Sequence, residues 1–373
     1  MAEDTPKVSE SARPYIGGQA VIEGVMMRSP TSFAIVVRRK DGSLHVRERG
    51  ITDPRRGVEK WPFIRGVASL GESLRLGSEA LRFSGEQFER DMEADDRAAK
   101  RPAKKAPTVT NVLTALGLSL FSMASGDAAP TGEKKSSGFG LMAIIMVVFL
   151  IMLPQGAASL VNKIFKLGLE LQSPGFQVLT GAFKLTIVIS YLALIRRVKD
   201  IRRVFQYHGA EHKTISTYEA GEELTVANAK KKTTLHPRCG TTFLVMVALV
   251  SVVVFTAVGS FLPKIETGNG LLNNLVFFLE KLPFVPVIAA VTFEIQRIFA
   301  RFFTKGPLRL VLWPGFLVQK ITTIEPDDEQ LEVALASLRV TLFREEGIKD
   351  GDGDVRFPDY ESVLAAERLR PAA

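Results

Sequence analysis

TFLVMVALVSVVVFTAVGSFL, at Thr242–Leu262, is a stretch without a single charged residue. A helix that crosses the hydrocarbon layer of a bilayer needs about 20 mostly apolar residues. A helix of this length in a water-soluble protein normally keeps a polar face toward the solvent, and this stretch has no such face. The stretch therefore predicts a transmembrane helix and an integral membrane protein.

Three other windows share this apolar character. Phe176–Ile195 has one interior lysine, Lys184, which we expect either to snorkel toward the membrane surface or to pair within the bundle. Gly138–Leu153 is apolar throughout, and Leu271–Phe299 is long but interrupted by charged residues and two prolines. The chain is therefore predicted to be an α-helical integral membrane protein with about four transmembrane helices and a small α+β cytosolic portion.

Basic residues are concentrated in one loop of this arrangement. The 373-residue chain has 48 lysines and arginines against 40 aspartates and glutamates, a net charge of +8. Because lysine and arginine in short loops mark the cytoplasmic side, the loop at 196–241 should face the cytoplasm, and four spans then place both termini there as well. The basic residues of this loop are Arg196, Arg197, Lys199, Arg202, Arg203, Lys213, Lys230, Lys231, Lys232 and Arg238.

The positive charge is better explained by orientation in a membrane than by nucleic-acid binding. Residues 1–14 are polar, so no signal peptide is expected before the first span. We expect a multi-pass protein of the bacterial inner (plasma) membrane. Its partners would be the lipid bilayer and either other membrane proteins or a second copy of the chain, but no nucleic acid. The single cysteine excludes an internal disulfide framework and a four-cysteine zinc module.

The remaining sequence reads as cytosolic units and linkers. Asp41-Gly42 lies between two alternating stretches and predicts a β-hairpin, and Ile64–Phe83 has the spacing of an amphipathic helix. The charged and glycine-rich stretch 84–137 is typical of a mobile linker, with an interfacial helix at 111–124. The chain is thus divided into a cytosolic N-terminal unit at 1–83, the linker at 84–137, a first transmembrane hairpin at 138–195, a cytosolic loop at 196–241, a second transmembrane hairpin at 242–299, and a C-terminal region at 300–373.

That C-terminal region has three parts. Leu308–Ile321 is apolar but broken at Trp313-Pro314-Gly315, which suits an interfacial or re-entrant helix, or packing against the cytosolic part of the protein. Pro326 and the acidic residues after it open a cytosolic helix. From Lys349 onward we expect a largely solvated tail.

The cytosolic loop contains the motif His-x-x-Glu-His at His208–His212. On a helix, the two imidazoles project from one face about a turn apart, so their nitrogens can bind one metal ion. Glu211 directly precedes the second histidine, as in the inverted metalloprotease pattern, where this glutamate acts as the general base on water. Gly209 within the motif weakens a continuous helix by about 1 kcal/mol.

Further candidates for this site follow in the same loop. His236 is the third of the chain's four histidines to fall there, and it begins His-Pro-Arg-Cys-Gly, which adds Cys239 as a soft ligand, a nucleophile or a small buried residue. Glu219 offers a carboxylate that could complete a metal site. The alternative is a polar, hydrogen-bonded knot that joins the loop to the inner membrane surface, with the histidines as ordinary donors.

One carboxylate lies within the fourth apolar window. Glu294 would be costly at membrane depth, where charged side chains usually have a partner or a function. Arg297 lies one turn further along the helix. The two residues are therefore interpreted either as an interfacial ion pair or as part of a functional site.

Four blocks of sequence together resemble the YqhQ-like family, a bacterial membrane-protein family of unknown function that is described as metal-dependent-enzyme-like. The blocks are GGQAVIEGVMMR at Gly17–Arg28, RVFQYHGAEHK at Arg203–Lys213, HPRCG at His236–Gly240 and LWPGFLVQKITTIEPDDEQLEVAL at Leu312–Leu335. The resemblance covers nearly the whole chain apart from the first dozen residues, the linker and the tail. It implies a divalent transition metal, with zinc as the first choice.

The resemblance also implies which positions matter. In this chain the family's blocks fall on Gly17, Gly18, Gln19, Glu23, Gly24, Arg28, His208, Glu211, His212, Lys213, Glu219, His236, Arg238, Cys239 and Gly240.

Two hypotheses from different classes follow. The first is a metal-dependent hydrolase with its site at the cytosolic membrane face. Here His208 and His212 would be ligands, Glu211 the general base, and His236 or Glu219 a further ligand. The second is a non-enzymatic membrane scaffold, assembly factor or transporter-like protein, in which the histidine motif only folds the cytosolic loop onto the bundle.

Overall fold

The structure is a computed structural model, and it describes residues 13–51, 61–98, 137–302, 313–345 and 352–368. Within 137–150 it describes the backbone alone. The described chain is mostly helical, with an antiparallel sheet formed mainly by its N-terminal part. The interfacial helix predicted at 111–124 lies outside the described residues.

Five antiparallel strands form one sheet in the order β1-β2-β3-β4-β5, so β1 and β5 lie at its edges. The predicted hairpin joins β3 to β4. Its turn is closed by the Asp41 carboxylate, which accepts a hydrogen bond from the Ser43 N–H over 3.0 Å, and Gly42 adopts a φ of +84° there. The strands are β1 Gly17–Val21, β2 Gly24–Arg28, β3 Ser32–Arg38, β4 Leu44–Gly50 and β5 Gly353–Phe357.

Eleven α-helices are found in the described part of the chain. They are α1 Ile64–Ala98, α2 Ser137–Ile164, α3 Pro174–Ile195, α4 Lys199–Glu219, α5 Val226–Lys230, α6 Gly240–Val258, α7 Gly270–Lys281, α8 Phe284–Phe302, α9 Trp313–Thr322, α10 Asp328–Glu345 and α11 Tyr360–Arg368.

The sheet is covered on both faces. One face packs its alternate apolar residues against Leu76, Ala80 and Phe83 of α1. The other face packs against α4 and α10, where Phe205 and Leu338 belong to the same core cluster. Successive side chains of a strand point to opposite faces of the sheet, so the strands place alternate apolar residues into each of the two cores. Val188 and Leu192 of the apolar helix α3 belong to the cluster of Phe205 and Leu338 as well.

α1 is longer than the sequence predicts. The linker was expected to begin at residue 84, but the helix continues to Ala98. Gln87 and Asp91 explain the difference, because both side chains bind the Arg39 guanidinium at the tip of the hairpin, each over 2.8 Å. The extra helical turns are thus held by tertiary contacts that the local sequence does not show.

Among the described residues, two helices are long and apolar enough to cross a membrane, namely α3 and the segment Gly240–Phe261, which is α6 with one short 3₁₀ turn. A third span results if α7 and α8 are counted as one segment bent by 49°. The predicted fourth window is therefore two helices. Pro283 lies at the break, where it removes a backbone donor.

The C-terminal region departs from the expectation in one place. The apolar segment predicted at Leu308–Ile321 is helical from Trp313 onward as α9, and its first residues lie outside the described ranges. The tail was predicted to be solvated, yet Gly353–Phe357 forms β5 on the edge of the N-terminal sheet. Its side chains are mostly exposed, which is why the sequence carries no burial signal for a strand.

Candidate functional site

Both histidines of the motif lie on α4 and both are buried. The helix is continuous despite Gly209. A Cβ at Gly209 would lie 2.2 Å from the Ile324 carbonyl oxygen, and the Ile324 N–H donates to the Phe205 carbonyl over 3.0 Å. The glycine therefore allows the chain that follows α9 to lie directly on α4, beside the two imidazoles.

Cys239 is brought to the same place by the start of α6. It caps that helix, because its Sγ accepts a hydrogen bond from the Thr241 N–H over 3.4 Å and lies 3.0 Å from the Thr241 hydroxyl. The candidate ligand atoms of His208, His212 and Cys239 all lie within 4.8 Å of one another, and all three side chains are buried. We call these three residues the His-His-Cys cluster.

Each imidazole in the cluster is oriented by a backbone carbonyl. The Nδ1 of His208 lies 2.9 Å from the Thr322 carbonyl oxygen, and the Nδ1 of His212 binds the Thr234 carbonyl. A carbonyl oxygen only accepts, so both Nδ1 atoms carry the proton and both Nε2 atoms present a lone pair. This arrangement is the one that typically orients metal-binding histidines.

The two Nε2 atoms both point toward the Cys239 thiol. The Nε2 of His208 lies 3.2 Å from Sγ. The Nε2 of His212 is buried without a hydrogen bond of normal geometry in the described part of the chain, and its interaction is with the same thiol. A buried polar atom without a well-formed hydrogen bond is unfavourable in a protein interior. A bound cation would provide the Nε2 atom of His212 with a partner.

Burial sets the protonation states of the cluster. It lowers the pKa of His208 and of His212 below the usual range, which keeps both imidazoles neutral. Burial raises the pKa of the Cys239 thiol, whereas the hydrogen bonds from Thr241 lower it. Neutral imidazoles are the form that binds a metal ion, and the thiol would lose its proton on binding.

His236 and Glu219 lie next to the cluster but not in it. The ring centroids of His236 and His212 are 5.6 Å apart. The Nε2 of His236 faces the Glu219 carboxylate at 3.3 Å, its Nδ1 accepts from the Arg238 N–H at 3.4 Å, and burial lowers its pKa to about 4. Glu219 also forms an ion pair with Arg238. The predicted ligand roles of His236 and Glu219 therefore remain predictions, and both side chains have other partners here.

Glu211 faces a cavity of about 610 Å³ that also reaches the cluster. The side chain is 5% exposed. A Cβ at Gly18 would lie 2.8 Å from both Cγ and Oε1 of Glu211, so β1 can approach the carboxylate only because that position is a glycine. The cavity thus brings together a buried carboxylate, the cluster and the backbone of β1.

The other predicted positions divide between this cavity and the rest of the molecule. Gln19 and Arg238 line the cavity. Glu23 is the turn residue between β1 and β2, with a φ of +52°, and its carboxylate pairs with Arg203 outside the cavity. Glu294 pairs mainly with Arg65 of α1, which donates from Nε over 2.7 Å, rather than with the expected Arg297.

The sequence does not reveal the groups that hold the loop around the cluster in place. Gln319 of α9 is fully buried; its Oε1 accepts from the His236 N–H over 2.8 Å and its Nε2 donates to the His236 carbonyl over 2.7 Å. The carbonyls of Thr234 and Thr322 were also missed, since no side chain marks a backbone acceptor. For Gln319 a signal existed: a lone amide in the apolar run of α9.

The donor set of the cluster fits a transition metal. Two imidazole nitrogens and one thiolate, all buried, are a combination found in catalytic zinc sites, where a fourth position stays open. Soft sulfur and borderline nitrogen ligands also disfavour magnesium and calcium. Among the predicted ligands, His208 and His212 therefore fit directly, and Cys239 fits better than His236 or Glu219.

The fold and the cluster define a mostly helical protein whose described part has two or three membrane-length apolar helices and a buried two-histidine, one-cysteine cluster beside a cavity. The profile of a family described as "Protein of unknown function (DUF1385)" matches residues 61–344, more than half of the chain. The chain therefore belongs to the DUF1385 family.

A relative in Bacillus subtilis (strain 168) carries the name "Uncharacterized protein YqhQ". It is 29% identical over 332 residues, which cover 88% of this chain and 92% of the relative. The predicted YqhQ-like membership is thus confirmed. No solved structure matches the chain.

Proposed function

We propose that this protein is a multi-pass membrane hydrolase that depends on a divalent transition metal, with zinc as the first choice. The observation that carries the proposal is the His-His-Cys cluster. Two imidazole lone pairs and a thiol converge in a buried place, and a backbone carbonyl holds the Nδ1 atom on the other side of each imidazole ring. Such preorganisation by outer hydrogen bonds is characteristic of metal sites.

The proposed location is the cytosolic face of the bacterial inner membrane. Cys239 directly precedes the membrane-length segment Gly240–Phe261, so the cluster lies at one end of that span. The basic loop 196–241 belongs on the cytoplasmic side. With α2 and the bent pair of α7 and α8, the proposed arrangement has four spans and both termini in the cytoplasm.

The residues around the cluster have separate chemical tasks in this proposal. A bound zinc ion would polarise the substrate and make water more acidic. Glu211, which lies in the same cavity, would accept the proton from water and deliver it to the leaving group. His208, His212 and Cys239 would hold the ion, and the Thr322 and Thr234 carbonyls would keep the two imidazoles in the correct tautomer.

A non-enzymatic scaffold, assembly factor or transporter-like protein is the second candidate, and one observation favours it. The hydrogen bonds of the loop tie distant segments together: Gln319 holds both backbone groups of His236, and buried Lys213 binds the Lys230 carbonyl and the Glu325 carboxylate. In a non-enzymatic protein the histidines would likewise only hold these segments of the loop together. Changing Glu211 would then have no effect on hydrolysis.

The Glu211→Gln variant separates these two functions. In detergent-purified protein loaded with zinc, we expect hydrolysis of p-nitrophenyl acetate to fall by about a hundredfold or more, because a general base contributes that much, while bound zinc stays unchanged. His45→Gln, a histidine change in β4 away from the cavity, is the matched control and should leave the rate as it is. A zinc-loaded wild type no faster than Glu211→Gln would contradict the hydrolase.

A further inference from the structure

The cavity beside the cluster runs along the edge of a strand. The five consecutive residues from Tyr15 to Gln19 all line it. Successive side chains of a strand point to opposite faces of the sheet, so a cavity on one face would be lined by alternate residues only. Three strand residues in succession, Gly17 to Gln19, mean that the cavity reaches the outer edge of β1, and Tyr15 and Ile16 line it just before the strand begins.

One wall beside this edge is the helix that carries the cluster. His208, Glu211, His212 and Ile215 line the cavity at the spacing of a single helical face. Residues of α1, among them Glu72, line it as well. Because α4 and α1 cover opposite faces of the sheet, the cavity is a groove along the strand edge between these two helices, with the cluster and Glu211 on the α4 side. Phe243 adds an apolar surface to the lining.

The edge of β1 that borders the groove is open. β1 pairs with β2 on its inner side, and no other strand joins it in the described ranges of the chain. Nor does the described structure show a backbone hydrogen bond from residues 17–19 to anything except β2. An open edge presents backbone N–H and C=O groups that an extended polypeptide can bind.

Gln19 supplies a second, independent observation. Its side chain is only 3% exposed, it lines the groove, and neither its amide nitrogen nor its amide oxygen has a hydrogen-bond partner in the described structure. A buried amide without partners is unfavourable by about 1–3 kcal/mol. A carboxamide both donates and accepts, which complements the C=O and N–H of a peptide group.

Gly18 allows the backbone of β1 to lie directly against Glu211, the proposed general base. Because a Cβ there would collide with the Glu211 carboxyl group, the β1 backbone passes directly beside it. A polypeptide paired with β1 would extend the sheet at this edge, with α4 covering one of its faces as it covers that face of β1. Its own peptide groups would then lie next to Glu211 and the cluster.

We propose that the groove binds a polypeptide in extended conformation as an added strand on β1, and that the bond hydrolysed is a peptide bond. This inference rests on the proposed hydrolase and names its substrate class. The oxygen of water adds to the carbonyl carbon, the C–N bond breaks, and Glu211 passes the proton from water to the departing nitrogen. The products are a carboxylate and an amine.

Peptide binding is best measured without cleavage, in the Glu211→Gln variant. The probes are soluble heptapeptides with valine, leucine or phenylalanine at alternate positions, and the same peptides N-methylated along one edge. Binding is followed by fluorescence anisotropy. N-methylation removes the donors that strand pairing needs, so we expect affinity to fall by about tenfold or more. Equal affinity of the two probe sets, or no binding of either, would overturn the proposal.

A change at Gln19 tests the same proposal through stability. Replacing an unpartnered buried amide by an apolar side chain of similar size removes an unfavourable group, so Gln19→Met should raise the melting temperature while it weakens binding of the unmethylated peptides by about tenfold. Gln87→Met is the matched control. Its amide oxygen accepts from Arg39, so this change should lower the melting temperature and leave peptide affinity unaltered. A lower melting temperature for Gln19→Met, or an unchanged affinity for the unmethylated peptides, would contradict peptide binding in the groove.

The zinc content of every sample separates the proposed peptide binding in the groove from the proposed zinc-dependent hydrolysis. Protein that holds zinc and hydrolyses p-nitrophenyl acetate but does not distinguish the two peptide sets would overturn the strand-addition inference alone. Protein that prefers the unmethylated peptides but binds no zinc would support the groove and overturn the proposed hydrolase.

Discussion

Single residues decide how closely the segments around the cluster can approach. Gly209 lies between the two histidines on α4, and the Ile324 carbonyl occupies the space that a side chain would need. The sequence marks this glycine only as a weak point of the helix, because a helix interior normally disfavours it. The reason for the glycine is a contact with a segment more than a hundred positions away, which local sequence cannot reveal.

Replacing Gly209 by alanine should therefore destabilise the protein, although alanine is the better helix former. The new methyl group would lie 2.2 Å from a backbone oxygen that cannot move without shifting the Thr322 carbonyl that orients His208. We expect a loss of about 1–3 kcal/mol, seen as a lower melting temperature. Gly71→Ala in α1, where nothing lies within 4 Å, is the control and should be neutral or stabilising. Equal changes in melting temperature for the two variants would contradict the close contact between Gly209 and the Ile324 carbonyl.

Which residues bind the proposed metal ion is also decided at the level of single residues. His208, Glu211 and His212 could be chosen from the sequence because their spacing on a helix has chemical meaning. For the further ligand the sequence favours His236 or Glu219 over Cys239, but it does not show how the stretch from Glu219 to Cys239 folds back on the helix. In the structure, the helix cap at Cys239 aims its thiol at the imidazoles, whereas His236 and Glu219 bind each other.

At the scale of elements, α1 shows what periodicity can and cannot predict. Its start at Ile64 follows from the sequence pattern, and its packing on the sheet involves the apolar positions Leu76, Ala80 and Phe83. Its last turns carry charged residues that resemble a linker. They are helical because Asp91 and Gln87 bind Arg39, a partner about fifty positions earlier in the chain.

The Arg39–Asp91 pair should contribute measurably to stability. Both side chains are about 15% exposed, so Asp91→Asn would leave a largely buried guanidinium without its charge partner. We expect a loss of about 1–3 kcal/mol and faster proteolysis in the last turns of α1. Asp95→Asn provides the contrast, because its pair with Lys40 is exposed and should contribute under about 1 kcal/mol. Equal effects of the two changes would contradict this account of α1.

At the scale of the whole molecule, the sheet, α4 and the apolar helix α3 contribute to one core cluster. The apolar windows identify α3 and α6 correctly, since hydropathy depends on composition alone. The bend between α7 and α8 and the addition of β5 to the N-terminal sheet could not be predicted. The bend depends on packing, and β5 is an exposed, polar strand whose partner β4 lies some three hundred positions earlier.

The proposed orientation predicts which loops react from outside the cell. Glu222 follows α4 and Glu266 lies between α6 and α7, and both are exposed. In intact cells, Glu266→Cys should react with a membrane-impermeant maleimide, while Glu222→Cys should react only after permeabilisation. The unaltered chain is the control, because its single cysteine is buried. Labelling of Glu222→Cys in intact cells would contradict the cytoplasmic placement of the site.

The metal content of the purified protein tests the central claim most directly. Elemental analysis of detergent-purified wild type, prepared without chelators, should find about one equivalent of zinc per chain, and His45→Ala should keep it. His212→Ala and Cys239→Ser should lose most of it, because each removes one of the three converging donors. A wild type without a stoichiometric transition metal, or a His212→Ala variant that retains it in full, would contradict the account.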